Sequence, residues 1–478
     1  MKKFIYVLVG IWATATLSCS DDDNILPVSI SLSSPQLIFH EEGGIKKIIV
    51  ETNGVEWTYE CTAEWLSLVK EGNVLTLNAA PNPEGNVLST TIPIYAGSGN
   101  NVAKAALQIL QTGPDNTDLS ATGTANCYMA KTETNYRFQA TIKGNGKEAG
   151  DGNSKYIAQY GLRISDGAYA ELLWESTFDA DKTRSTKIIQ GYPFYCEGSI
   201  YFTTGSHEGN AVIALKNNAG EILWSWHIWV SNQEVKLSEA NGYSWMDRNL
   251  GALNNVPQDI NNRGLFYQWG RKDPFLPSCA EYMAVGVDFV LAANIPNNQV
   301  GNGSAQWLYS GVKTKRIAEA PGNIEFATQN PTTFLMNYSK EYYDWYIVGS
   351  NEDQYKPDLW GKTSEPNYKT IFDPCPVGYM VPPEYTFSPS GEKFLDADWS
   401  EVTDNGRYWT GGSGDFFPCV GLLTISTNPL TYCGAIGCYW TAGESFGNSY
   451  RLYFNANYIY YESGARVYGA VIRCVKEQ

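Results

Sequence analysis

Apolar and polar positions alternate with a period of two through most of the first quarter of the chain. Between Pro27 and Gly113 the alternation predicts strands at Val28–Leu32, Gln36–Phe39, Ile45–Glu51, Glu56–Glu60, Leu66–Val69, Val74–Asn78, Thr90–Tyr95 and Ala105–Gln111. Gly, Asn and Pro interrupt them every eight to twelve residues. Successive side chains of a strand point to opposite faces, so short alternating runs at this spacing read as a β-sandwich over residues 27–113. Residues 114–118 are polar and turn-forming, a linker. A second unit, 119–233, closes with Gly209–Lys216, the turn Asn217-Asn218-Ala219-Gly220, and Glu221–Val230. Two apolar runs around an Asn/Gly turn predict a hairpin, and the unit reads as an immunoglobulin-like sandwich. In its last run Ile222, Trp224, Trp226 and Ile228 share one face, with Leu223, Ser225, His227 and Trp229 on the other. His227 therefore reads as a hydrogen-bonded structural histidine. The third region, 234–478, reads as irregular strands and long loops, with short helices after Ile260 and Pro389. The expected fold class is mainly β: two sandwiches followed by an α+β domain.

The N-terminus follows a different rule. Met1-Lys2-Lys3 precedes an apolar run from Phe4 to Leu17, too short for an ordinary membrane-spanning helix, which predicts a signal peptide over residues 1–18. Leu17-Ser18-Cys19 resembles the bacterial lipobox. That resemblance implies a diacylglycerol thioether on Cys19, with residues 19–26 as a lipidated tether holding the protein to the membrane. Ser20-Asp21-Asp22-Asp23-Asn24 resembles the acidic stretch that marks surface-exposed lipoproteins of the Bacteroidetes, which implies an outer-membrane lipoprotein facing outward.

Composition narrows the partners. The formal charge is −16 over 478 residues, which excludes nucleic acid as an expected ligand. Only 18% of residues are charged, while 14% are aromatic, including 15 Trp and 32 Tyr. Rings with a polar tip suit recognition surfaces as well as cores. Nine cysteines remain after Cys19, an odd number, in a compartment that permits disulfides. His40, His207 and His227 are the only histidines, and the close cysteines Cys433 and Cys438 have none nearby, so no metal and no cofactor is expected.

Three stretches resemble known modules. Asn53-Gly54-Val55-Glu56-Trp57, Glu64-Trp65-Leu66-Ser67 and the closing Leu107–Gly113 are similar to the BACON domain, the Bacteroidetes-associated carbohydrate-binding domain, although Leu88-Ser89-Thr90-Thr91 lacks its usual basic residue. The opening and close of 119–233 look like a segment of fimbrillin-like surface lipoproteins. In the third region, Ser244–Ala252, Gly264–Phe275, Asp373–Pro382, Tyr408-Trp409-Thr410, Gly437–Ala442 and Val471–Lys476 resemble the Fibrobacter succinogenes major paralogous domain family. This family looks related to C-type-lectin-like and formylglycine-generating-enzyme-like folds, so a lectin-like α+β domain is expected over 234–478. A lectin-like fold brings its ends together, which implies a Cys375–Cys474 disulfide.

No catalytic constellation emerges. There is no Gly-x-Ser-x-Gly elbow, Gly411-Gly412-Ser413-Gly414 lacks the Lys-Ser/Thr of a phosphate loop, and Asp151, Asp166, Asp179 and Asp181 match no calcium-loop spacing. The chain is therefore expected to be a non-catalytic adhesion or binding protein, with glycan or glycoprotein as partner. The alternative is a fimbria-associated structural or tip subunit binding other fimbrial subunits; a carbohydrate-active enzyme is the third reading. Trp307, Trp345 and Trp360 are the expected ligand contacts, because tryptophan rings stack on the apolar faces of sugars.

Overall fold

The fold comes from a computed structural model that describes residues 27–83, 87–113, 116–147, 151–176, 188–275, 313–316, 324–336, 344–345, 358–362, 368–393, 395–403, 405–424, 430–445 and 447–478. The signal peptide, Cys19 and Trp307 lie outside them. The protein is mainly β.

The first sandwich contains β1 (Ile30–Leu32), β2 (Gln36–Phe39), β3 (Gly44–Thr52), β4 (Trp57–Tyr59), β5 (Leu66–Glu71), β6 (Val74–Ala79), β7 (Leu88–Ser98) and β8 (Asn101–Gln111). Two four-stranded sheets, ordered β1-β3-β6-β5 and β2-β8-β7-β4, enclose Ile48, Val50, Trp57, Leu75, Leu77, Ile92, Ile94, Leu107 and Ile109. The alternation explains the split. In β3, Ile48 and Val50 point into the core, while Ile45 and Ile49 point to solvent.

The second unit has β9 (Thr117–Asp118), β10 (Cys127–Ala130), β11 (Asn135–Gln139), α1 (Asp151–Tyr160), β12 (Tyr169–Ser176), β13 (Ile189–Cys196), β14 (Ser199–Thr204), β15 (Gly209–Lys216) and β16 (Ile222–Val230). Its sheets run β10-β16-β15-β12 and β13-β14-β11-β9. The hairpin predicted from the Asn/Gly turn is β15–β16. Asp151 begins α1.

Both faces of β16 are buried, and this changes the domain picture. One face packs inside the sandwich, where Trp226 lies 5.2 Å from Phe138. The opposite face is covered by residues 234–478. Ser225 Oγ donates to Asp273 at 2.6 Å, and Trp229 Nε1 donates to the Ala252 carbonyl at 3.1 Å. From β10's side, Asn126 Nδ2 donates to the carbonyls of Ile371 and Asp373, both at 2.8 Å, while its Oδ1 accepts from Trp224 Nε1 at 2.9 Å. A single hydrophobic core runs through both units. The expected boundary between 119–233 and 234–478 is thus a change of topology within one packed body.

In the third region β17 (Leu237–Ala240) and β18 (Tyr243–Met246) join the final strand Val475–Lys476 and the strand Tyr379–Met380 in one sheet. The beginning, middle and end of the region meet there. Cys375 and Cys474 are bonded beside this junction, with Cα atoms 6.2 Å apart. Short 3₁₀ helices occur at Ile260–Asn262 and Asp396–Asp398. A three-stranded antiparallel sheet, Gly437–Ser445, Asn448–Phe454 and Ile459–Ala465, lies near the end of the chain.

Candidate functional site

Two of the three tryptophans expected to face a ligand, Trp345 and Trp360, do not. Trp345 and Trp360 are 1% and 0% exposed. Trp345 Nε1 donates to the Trp269 carbonyl at 2.7 Å, and Trp360 Nε1 to the Arg271 carbonyl at 3.0 Å. An indole has one donor, and when buried it takes a backbone acceptor, which fixes both rings as core residues. Trp307 lies outside the described residues.

The most distinctive sequence text, Gly264–Phe275, is also interior. Arg271 is buried and donates to the carbonyls of Thr333, Ala327, Asn330 and Pro331. Lys272 Nζ donates to Asp273 and to Ser225 Oγ, both at 2.6 Å, and sits 4.6 Å above the Trp224 ring. Burial pulls the Lys272 ammonium down, and the Asp273 carboxylate opposes this. The Ser225–Lys272–Asp273 set has the composition of a nucleophile and its base. Side-chain exposures of 2% for Lys272 and 5% for Asp273 keep a substrate away from it. His227 belongs to the same wall. Asn210 Nδ2 donates to the Gly251 carbonyl, so Asn210 Oδ1 faces His227 Nε2 at 2.8 Å and requires an Nε2–H tautomer. Burial lowers His227 to about 3, so it stays neutral and structural.

Aromatic surface appears instead on the outer side of the three-stranded sheet. Leu452, Phe454, Ile459 and Tyr461 turn inward and are buried. Period two therefore turns Arg451, Tyr453, Tyr460 and Glu462 the other way. Register places Tyr453 opposite Tyr460 and Arg451 opposite Glu462. The connecting turn is fixed by Asn455, whose Oδ1 accepts from the backbone N–H groups of Asn457 and Tyr458. That turn sets the Tyr458 ring 4.5 Å from Tyr460 and 6.5 Å from Tyr453, at interplanar angles of 30° and 21°. The three rings are partly exposed. Charge frames them. Arg451 lies 5.1 Å over Tyr453 and bonds Glu462 at 2.8 Å, and Lys393 Nζ stands 5.9 Å from the Tyr460 centroid. Burial and the neighbouring Cys438 and Tyr458 push Tyr453 up to about 12, so its hydroxyl is neutral and can both donate and accept.

A second aromatic group flanks the same sheet. Tyr385 is 41% exposed with φ +63°, a left-handed conformation that is costly for a bulky residue. It is held there because its N–H donates to Tyr461 Oη at 2.8 Å, and its ring packs 5.6 Å from Tyr450 and 5.8 Å from Tyr461. The adjacent Glu384 carboxylate pushes the Tyr385 hydroxyl well up.

Near-parallel, partly exposed rings with carboxylate and ammonium groups at their edges can stack on an apolar ligand face and satisfy hydroxyls beside it. The signal for this surface was in the text Tyr453-Phe454-Asn455-Ala456-Asn457-Tyr458-Ile459-Tyr460, where tyrosines alternate with aliphatic or phenyl side chains across an Asn-rich turn.

No protein-family description matches the sequence, and no curated protein matches it. Among solved structures, the chain is similar to a protein from Bacteroides thetaiotaomicron at 18% identity, covering 20% of this chain and 95% of that one, with a TM-score of 0.15. Tandem immunoglobulin domains of titin match at 8% identity, covering 43% of this chain and 97% of theirs, also at a TM-score of 0.15. Among the described residues no helix is long and apolar enough to cross a membrane.

Proposed function

We propose that this chain is an exported lipoprotein, anchored through Cys19 at the outer membrane, that binds glycan or glycoprotein without catalysis. The observation that carries this reading is the platform of Tyr453, Tyr458 and Tyr460 on the sheet near the C-terminus. Sugars present apolar C–H faces of about the size of one ring, and hydroxyls at their rims. Two near-parallel tyrosines at 4.5 Å with Glu462 and Lys393 around them supply both kinds of contact. The lipobox-like Leu17-Ser18-Cys19, the acidic tether, and the likenesses to BACON, fimbrillin-like and Fibrobacter succinogenes major paralogous domains support the same reading. So does the position of the platform, far along the sequence from the anchor.

The test is a glycan array probed with the whole chain from Ser20 onward, beside a Tyr458→Ala/Tyr460→Ala variant. The proposal expects a set of related glycans that the variant fails to retain. An array without hits, or one on which the variant gives the wild-type pattern, refutes the assignment.

A further inference from the structure

The first and second sandwiches meet through a small contact whose edge carries an unexplained set of donors. Ile38, Leu110 and Phe194 pack together there. Gln36 is buried and reaches across with both ends of its amide. Its Nε2 bonds the carbonyls of Ala170 and Pro193, and its Oε1 accepts from the Ala170 N–H. Just beyond this contact His40 approaches Cys196 and Glu197, and one ligand atom from each of the three lies within 4.8 Å of the others. His40 Nε2 and Glu197 Oε2 are 3.9 Å apart.

Both segments are fixed without any ion. The His40 carbonyl accepts from the Gly43 N–H at 2.9 Å and from Gln111 Nε2 at 3.3 Å. Cys196 ends β13 opposite Ser199 of β14, so the connection is the two-residue turn Glu197-Gly198. Both turn residues have positive φ, +49° and +82°, the geometry of a tight type I′ hairpin. Such a turn leaves the Glu197 side chain at the tip, beside the Cys196 thiol and opposite His40.

We propose that His40, Cys196 and Glu197 form a site for a zinc-type divalent cation that closes the junction between the two sandwiches, with water as fourth ligand. Imidazole, thiolate and carboxylate are a donor set suited to a tetrahedral borderline-soft ion. Ligand bonds of about 2.0–2.3 Å to one ion bring donors to separations slightly below those seen here, a movement within the reach of side-chain rotation. Charge balances, since one thiolate and one carboxylate neutralise a dication. The Cys196 thiol gives up its proton to solvent on binding, as a thiolate ligand must. The ligands come from two units, so the ion acts as a staple that fixes their angle.

The probe is cobalt(II), titrated into the reduced, chelator-treated whole chain from Ser20 onward. The proposal expects one equivalent to bind, with the thiolate-to-cobalt charge-transfer band and the visible bands of a tetrahedral ion, and zinc(II) to displace it. Cys196→Ser should abolish the charge-transfer band, and His40→Ala should weaken binding about 10–100-fold or more. All three ligands are at least partly exposed, so both variants should retain the wild-type far-ultraviolet spectrum. A wild-type chain that shows no charge-transfer band at one equivalent overturns the proposal, as does a band that survives in Cys196→Ser.

Discussion

Asn126→Ala probes the continuity of the core across residues 119–478. The Asn126 side chain is 1% exposed and makes three hydrogen bonds, two across the junction to the carbonyls of Ile371 and Asp373 and one within its own unit from Trp224 Nε1. Alanine leaves one indole N–H and two carbonyls short of a partner in the interior. Each orphaned group costs about 1–3 kcal/mol, and a water entering the vacated volume recovers part of the total, so the expected loss is about 3–5 kcal/mol. Asn126→Asp should cost more, because a carboxylate cannot donate to either carbonyl and buries a charge beside them. The assay is urea unfolding, followed by tryptophan fluorescence and by far-ultraviolet circular dichroism. The tryptophans of both units should move together to lower urea, because Trp224, Trp226 and Trp229 share a core with Trp245, Trp269 and Trp440. A loss below about 1 kcal/mol would refute the reasoning. So would a variant in which one part of the fluorescence shifts while the rest unfolds at the wild-type midpoint.

Three further outcomes follow from the same contacts. Replacing Cys375 and Cys474 by Ala opens a loop of 99 residues and should cost about 4–5 kcal/mol in the chain-entropy treatment, read as a fall in the urea midpoint; an unchanged midpoint contradicts it. His227, held neutral by burial with its value lowered from 6.5 to about 3, contributes stability that is complete above pH 6.5 and lost as pH falls through that window; by pH 4 the loss should be about 3 kcal/mol. His227→Gln should flatten that part of the stability–pH curve, and an equally steep acid loss in the variant argues against the assignment. Labelled palmitate should be incorporated into cells making the wild-type chain and not Cys19→Ser, while equal labelling of both removes the anchor from Cys19.

The first sandwich was legible because most of its strands keep one wet face. In β3 the exposed Ile45 and Ile49 and the buried Ile48 and Val50 still obey the alternation set by Lys47 and Glu51, and β2 occupies its expected residues. The hairpin at β15–β16 was legible from its turn. What covers β16 was not. A strand buried on both faces reads as a continuous apolar run whatever lies against it. The polar residues that stitch the junction, Asn126, Ser225 and Asp273, look in sequence like ordinary loop or strand residues. The same holds for the third region, where the short strands Thr333–Met336 and Phe416–Pro418 accept hydrogen bonds from the buried cations Arg271 and Arg473. Reading Trp345 and Trp360 as ligand contacts failed for a physical reason. Trp229, Trp245, Trp269, Trp345, Trp360 and Trp440 each donate Nε1 to a backbone carbonyl in the interior. The large rings fill the core, and the partly exposed platform is left to tyrosine. The His40–Cys196–Glu197 cluster was invisible to spacing arguments because its ligands come from distant segments brought together by the contact between β2 and β13.

The binding account stands or falls on the ring of Tyr460. Isothermal titration of the best array glycan into the wild-type chain, Tyr460→Phe and Tyr460→Ala separates the ring from its hydroxyl. Stacking predicts that phenylalanine keeps affinity within a few-fold, while alanine loses about tenfold or more, roughly 1.4 kcal/mol or above. An alanine variant that binds as tightly as wild type would contradict the platform as the binding surface.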